Sequence, residues 1–526
     1  MVVENPTAQQ ASAHNEFKSN PILRWDDPRL KLHTSLQYTL QNVLNWQYPL
    51  PIQSHSIFVD RIFKRDIFGI SCTGSGKTAA YGVPILQALI DEFGPKVPNN
   101  QEEQEAKTRL QERKQKLQHS EKLTPLAFVV IPTAELSEQV ARMLLQLIAD
   151  TDFSVAHCVL SLFVFVIVTY VYVCWVVCAQ CGGTNYLENY HAAKQSGADI
   201  LIGTPGRLHH MFEDGKLSFE ELRVFVVDEA DYLLRADKHG DLDTEHVDRL
   251  AELHDAALEV RQDWRRFFFS ATCTPEVLEI TNQMLESRID IRVGCNNFLS
   301  PTVHHVPVHV IDPEEGKQRQ LFDLLREHFA EQLQDGRHKQ RKAIVFVNSS
   351  AEAEYVAEFL HEYADQLSRD TMEWEAISRA QPYSASILSP GEREQVAENF
   401  RRRKLRVLIA TDVLGRGFEA PQVSAVIHYD LPIPLRDASF ASAVTTFVQR
   451  SGRTGRAGNI GLCYSFWERN NTDHERMAAE VVPLLKEMLP LQHEFVARTT
   501  DSLPEFLMQM RHNHMTRHPT YPGDRY

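Results

Sequence analysis

Short apolar runs recur along this chain, each closed by polar or turn-forming residues. Leu126 to Ile131, Asp199 to Ile202, Val224 to Val227 and Arg266 to Phe269 are mostly continuous rather than alternating, as in strands covered on both faces. Stretches with helical spacing lie between them. This alternation predicts an α/β fold, a mostly parallel sheet with helices on both faces. The pattern begins near Ser35, stops near Gly294 and restarts at His305 to Ile311. It continues through Ala343 to Val347, Val407 to Ala410 and Ala425 to Tyr429. Two tandem α/β domains are therefore expected, over 35–294 and 302–468, joined near Cys295 to Pro301. Residues 1–34 are polar at their start and expected to be a disordered extension. Residues 469–526 read as a helix, Glu475 to Met488, followed by a polar tail.

Two insertions interrupt the first domain. Pro95 to Pro125 is rich in Gln, Glu, Lys and Arg of mixed sign and is expected to be a solvated helix laced by i,i+4 pairs. The second, about 159–180, opens with VLSLFVFVIVTYVYVCWVVC and carries no charge. By length and hydropathy it qualifies as a membrane span. A single span would put its flanks on opposite sides of a bilayer, yet both flanks should belong to one sheet. A translated intron, a buried or groove-binding element and a membrane segment all stay open, the first because Val, Phe, Leu, Cys, Tyr and Trp have T-rich codons.

Hydrophobic content of 43% and charged content of 24% fit a globular chain. A net charge of -15 excludes nucleic-acid binding by global charge, so any such contact needs a local basic groove. The eight cysteines are scattered, without a paired framework, which predicts reduced thiols inside a cell. Cys174, Cys178 and Cys181 cluster without histidines, a poor zinc pattern. The amino terminus lacks a basic-then-apolar signal.

The chemistry is concentrated in two motifs. SCTGSGKT, ending at Lys77 and Thr78, has the glycines that let backbone N–H groups approach phosphate oxygens ahead of a helix. Thr73, Gly74, Ser75 and Gly76 form the cradle, Lys77 reaches the β- and γ-phosphates, and Thr78 contributes to Mg²⁺. Asp228-Glu229-Ala230-Asp231 closes the run Val224 to Val227. A carboxylate at a strand end, paired with such a loop, can hold Mg²⁺, and a second can aim water at a nucleotide. Asp228 takes the metal role and Glu229 the water-positioning role. Nucleotide hydrolysis with Mg²⁺ is the expected reaction.

With further motifs in order, the chain resembles the DEAD-box family of superfamily 2 RNA helicases, from roughly Trp46 to Phe466. YPLPIQ resembles the adenine-reading motif, which implies base recognition by Gln53. PTAELSEQV, with Pro132 and Thr133, together with Gly182-Gly183 and TPGR (Thr204, Pro205, Gly206, Arg207), resembles the RNA-backbone motifs. Ser270-Ala271-Thr272 resembles the motif coupling hydrolysis to strand separation. IVFVNS, with Asn348, and ATDVLGRG, with Thr411 and Arg416, resemble second-domain RNA and ATP motifs. Glu419 is implied at the nucleotide. QRSGRTGR resembles the arginine-finger motif, with Gln449 and Arg450 coupling and Arg453 and Arg456 reaching the γ-phosphate.

The resemblance implies two tandem RecA-like domains and an ATP-dependent RNA helicase. It also implies weak sequence preference, a monomeric chain and no membrane, with ribonucleoprotein or pre-ribosomal assembly as the setting. Nucleus, nucleolus and cytoplasm stay open as locations. An ATP-gated RNA clamp or scaffold with little unwinding is the alternative. Three positions depart from the family pattern. Ala134 stands where Arg is usual, Gln449 where His is usual, and Glu419 where Asp is usual. Arg401-Arg402-Arg403-Lys404 is a further RNA-contact candidate, or else a solvated helix end complementing the dipole.

Overall fold

In this computed structural model, the described residues are 22–71, 74–93, 100–148, 154–158, 174–180, 190–191, 193–194, 198–234, 244–273, 275–293, 299–300, 302–310, 316–330, 341–367, 371–384, 386–412, 423–433, 440–455, 459–492 and 503–517. The chain divides into two compact units, the second taking up the chain from Gly294.

The first unit is built on a sheet of β1 (Asp66–Ser71), β2 (Ala127–Val130), β3 (Ser154–Cys158), β4 (Cys174–Gln180), β5 (Ile200–Gly203), β6 (Val224–Val227), β7 (Arg265–Ser270) and β8 (Arg288–Val293). Their order is β3-β4-β5-β2-β6-β7-β1-β8, and the neighbours pair in parallel. Every residue of β1, β2, β5 and β6 is buried. Successive side chains point to opposite faces, so both faces of these strands are covered. That is why the runs read as unbroken apolar stretches.

The second unit carries β9 (Val303–Val310), β10 (Ala343–Phe346), β11 (Gln381–Tyr383), β12 (Val407–Ala410), β13 (Ala425–His428) and β14 (Gly461–Glu468). Their order is β11-β12-β10-β13-β14-β9, again with parallel pairing. The expected fold class, two α/β units with parallel sheets, is what the chain adopts.

Four expectations change. The extension expected over 1–34 is ordered from Ile22, because Ile22, Trp25, Leu30 and Leu32 join the first unit's core and Trp25 lies against Trp46 with ring centroids 6.3 Å apart. The polar tail contains a second helix, Glu505–Arg517, whose Leu507 and Met510 are buried with Met477 and Val481 of the helix Thr472–Gln492. The charged insertion does form a helix, Asn100–His119. Its Arg113, however, is buried, pairing with Asp199 and Glu221 and donating to the Thr124 carbonyl at 3.0 Å. The end of the apolar insertion, 174–180, is strand β4, placed between β3 and β5 with Val177 opposite Ile200. Residues 159–173 lie outside the described residues. Among the described residues, no helix is long and apolar enough to cross a membrane.

Candidate active site

Parallel strands release their loops at one edge, and a sheet order of β6-β7-β1 places three of those loops side by side. The loop after β1 is the phosphate loop, the loop after β6 begins at Asp228, and the loop after β7 is Ser270-Ala271-Thr272. The motifs that the sequence separates by up to two hundred positions thus share one end of one sheet.

The phosphate loop turns through Gly74 (φ 78°) and Gly76 (φ 90°), conformations that a Cβ disfavours. At Gly76 a Cβ would also stand 2.4 Å from Gln53 Nε2. Gln53 is buried, donates to the Gly76 carbonyl at 3.3 Å and accepts from the Leu50 N–H at 2.8 Å. Thus the residue assigned to base reading is tied to the loop that would hold the phosphates. Lys77 Nζ donates back to the Ser71 carbonyl at 2.8 Å, and the Ser71 and Ser75 hydroxyls lie 2.7 Å apart. Thr78 follows in the helix Lys77–Phe93.

Asp228 is 3% exposed. Its Oδ1 accepts the Glu229 N–H and its Oδ2 accepts the Tyr81 hydroxyl, each at 2.9 Å. Burial pushes its carboxyl pKa up, against the Lys77 charge, the Tyr81 hydrogen bond and the Glu229 N–H. Glu229 sits in the left-handed region, φ 50° and ψ 50°, ahead of the one-turn helix Ala230–Leu233. For a side chain of this kind that conformation costs on the order of 1 kcal/mol. It is held by the bond to Asp228 and by the Tyr232 N–H donating to the Glu229 carbonyl at 2.9 Å.

Thr272 Oγ1 donates to Asp231 Oδ2 at 2.8 Å, while the Ser270 hydroxyl donates to the Thr272 carbonyl at 2.6 Å. Both residues are buried. The pair assigned to coupling is therefore latched to the last residue of the acidic motif. At the β2 end, Thr133 Oγ1 accepts the Leu136 N–H at 3.3 Å, opening the helix Ala134–Ile148. At the β5 end, Thr204 precedes the helix Pro205–Glu213, which contains Gly206 and Arg207.

In the second unit Arg450 is fully buried. It donates to Asp412 Oδ1 at 2.6 Å and Oδ2 at 3.0 Å, to Asn348 Oδ1 at 2.9 Å and to the Asp430 carbonyl at 2.8 Å. Asn348 Nδ2 also donates to the Leu431 carbonyl at 2.8 Å. Both ends of the Asn348 amide are thus used inside the unit. The side chain expected to touch RNA is exposed and joins the ends of β10, β12 and β13. Thr411, Gln449 and Arg453 are also buried. Thr73, Gly183, Arg416, Glu419 and Arg456 lie outside the described residues. Arg401 and Arg402 both reach Glu398, which suits a solvated helix end.

Sequence reading overlooked Tyr81 and Asp412. Tyr81 falls one helical turn after Lys77, on the same face, so i,i+4 spacing would have found it. Asp412 is an acid two residues past the end of the apolar strand β12, a signal close to the one that marked Asp228.

A family model described as DEAD/DEAH box helicase matches residues 51–280, and one described as helicase conserved C-terminal domain matches 319–458. The ATP-dependent RNA helicase dbp3 of Schizosaccharomyces pombe (strain 972 / ATCC 24843) is 28% identical over 471 residues, covering 89% of this chain and 64% of its own. The chain therefore spans less than two thirds of that curated relative's length. Dbp5 of S. cerevisiae, solved bound to RNA and ADP BeF3, matches at a TM-score of 0.58 and 20% identity, over 89% of this chain and 94% of its own. The DEAD-box helicase Mss116, solved bound to ssRNA and UDP-BeF, matches at 0.62 and 16%, over 98% and 89%. At these identities the likeness is one of fold.

Proposed function

The chain belongs to the DEAD/DEAH box helicase family, and from that premise we propose that it is an ATP-dependent RNA helicase, an ATP hydrolase whose turnover is stimulated by RNA and coupled to local duplex opening or ribonucleoprotein remodelling. The observation that carries this reading is the gathering of Lys77, Asp228 and the Thr272–Asp231 latch at adjacent strand ends.

Gln53 recognises the adenine while the loop from Thr73 to Gly76 and Lys77 cradle the phosphates. Thr78 and Asp228 offer hard oxygen donors beside the Lys77 charge, a set that fits Mg²⁺. When bound, that ion neutralises charge on the phosphates. Glu229, preset by its left-handed backbone, aims the attacking water. Arg453 and Arg456 stabilise charge at the γ-phosphate, which is worth about 10³–10⁵ in rate for such fingers. Pro132, Thr133, Gly183, Thr204 to Arg207, Thr411 and Arg416 face the RNA backbone, so sequence preference is weak. Asn348, exposed and held by Arg450, faces the RNA backbone with them. A monomer working in ribonucleoprotein assembly, in the nucleus, nucleolus or cytoplasm, suits this chemistry.

The test is ATP turnover with and without RNA, alongside strand release from a short RNA duplex. RNA should raise turnover, and ATP should drive release. Stimulated hydrolysis without release would leave the ATP-gated clamp as the reading. Turnover indifferent to RNA would overturn both.

A further inference from the structure

We propose that the Tyr81 phenol is a positioning group for the Asp228 carboxylate, the group assigned to the metal side of the site. The proposal rests on the nucleotide-site reading above. Tyr81 is fully buried on the helix Lys77–Phe93, with its ring 5.5 Å from that of Phe269 in β7. Its hydroxyl donates to Asp228 Oδ2 at 2.9 Å.

The Asp228 carboxylate is held at both oxygens, Oδ2 by Tyr81 and Oδ1 by the Glu229 N–H, so its plane is set before any ion arrives. Outer groups of this kind orient ligands, and their loss typically costs about 10- to 100-fold in metal affinity. Packing alone would be content with Phe at this position, since the ring contact to Phe269 does not use the oxygen.

Tyr81→Phe in the full chain removes only that oxygen. The readout is equilibrium binding of a fluorescent ADP as Mg²⁺ is titrated, which involves no turnover. We expect the Mg²⁺ half-saturation point to rise roughly tenfold, with nucleotide affinity in excess EDTA unchanged. On an Asp228→Asn background, adding Tyr81→Phe should produce no further loss, because the phenol acts through that carboxylate. A fold defect would instead weaken binding with and without Mg²⁺ and would add to Asp228→Asn. That pattern, or an unchanged half-saturation point, overturns the proposal. A wild-type chain whose ADP binding ignores Mg²⁺ would overturn the nucleotide-site reading and this proposal with it.

Discussion

Lys77 and Asp228 belong to one buried electrostatic cluster, in which the ammonium charge opposes the rise that burial imposes on the carboxyl. Lys77→Ala should therefore do two things. ATP turnover should fall by at least about 10³, as a phosphate contact realised in the reaction is lost. Stability should also drop, by about 1–3 kcal/mol, because a buried carboxylate loses its counter-charge. Phosphate release and urea unfolding measure the two separately. Glu229→Gln keeps the side chain's size but removes its charge and basicity. Nucleotide binding should stay within a few-fold while hydrolysis falls about 10²–10⁴-fold, and near-normal turnover would refute the role given to Glu229. Arg450→Met removes a donor set that satisfies Asp412, Asn348 and the Asp430 carbonyl. Its expected cost to the second unit is about 1–3 kcal/mol, the usual result of leaving hydrogen-bond acceptors without their charged donor. A midpoint shift below a third of that would show that the clamp is not structural.

Among the elements, the helix Glu505–Arg517 deserves to be counted with the second unit. Leu507, Met510 and His514 recur at helical spacing and are buried, and Arg517 reaches the buried Glu475 at 2.6 Å. Ending the chain at 502 should bare Met477 and Val481 and lower the second unit's melting point, with dye binding to the exposed face as the check. Leu507→Ala should cost about 2–4 kcal/mol by cavity formation. Strand β4 illustrates the opposite case. Its residues, Cys174 to Gln180, close the uncharged run that hydropathy alone offered to a membrane, yet they take up ladder pairing between β3 and β5. A continuous apolar run suits a covered strand as well as a span, and pairing partners are invisible to a window average.

At the scale of the molecule, the two units should answer acid differently. In the second unit His305 and His328 are held near a pKa of about 3 and His474 near about 4, each chiefly by burial. His305 stacks on Phe447 beside His304, and His328 faces Ser424, Arg341 and Arg406. Their folded pKa values lie below the unfolded value of about 6.5. The unfolded chain therefore binds more protons in this window, and the stability they contribute is present above about pH 6.5 and lost as pH falls toward the folded values. Each such histidine contributes a slope of about 1.4 kcal/mol per pH unit within it. In the first unit His33 and His254 are also lowered by burial, but Asp60, Asp66 and Asp228 are raised, first by burial, and work against them. For these carboxyls the folded state binds protons more tightly, so acidification works in the stabilising direction. Denaturant melts from pH 7.5 to pH 5 should show the second unit weakening first. A reversed order, or parallel loss, would contradict this assignment.

Sequence by itself determined the repeat of buried strands, the two-unit division of the pattern, and the chemical identity of the phosphate loop and acidic motif. These are local properties: unbroken apolar runs report burial on both faces, and glycines before a lysine and a helix report a phosphate cradle wherever they occur. Tertiary structure alone decided which side chains meet. Sheet order brought Ser270 to Thr272 beside Asp228 to Asp231. Helix packing, in turn, set the Tyr81 hydroxyl on the Asp228 carboxylate across 147 positions. It also tied Asn348 to Arg450, because the fully buried guanidinium required acceptors there. It docked Trp25 and the helix Glu505–Arg517 at the chain's two ends, where polar neighbours in the sequence masked a few well-spaced apolar side chains. Hydrogen-bond partners distant in sequence leave no periodic trace, so the residue types foretold the chemistry while the fold selected its wiring.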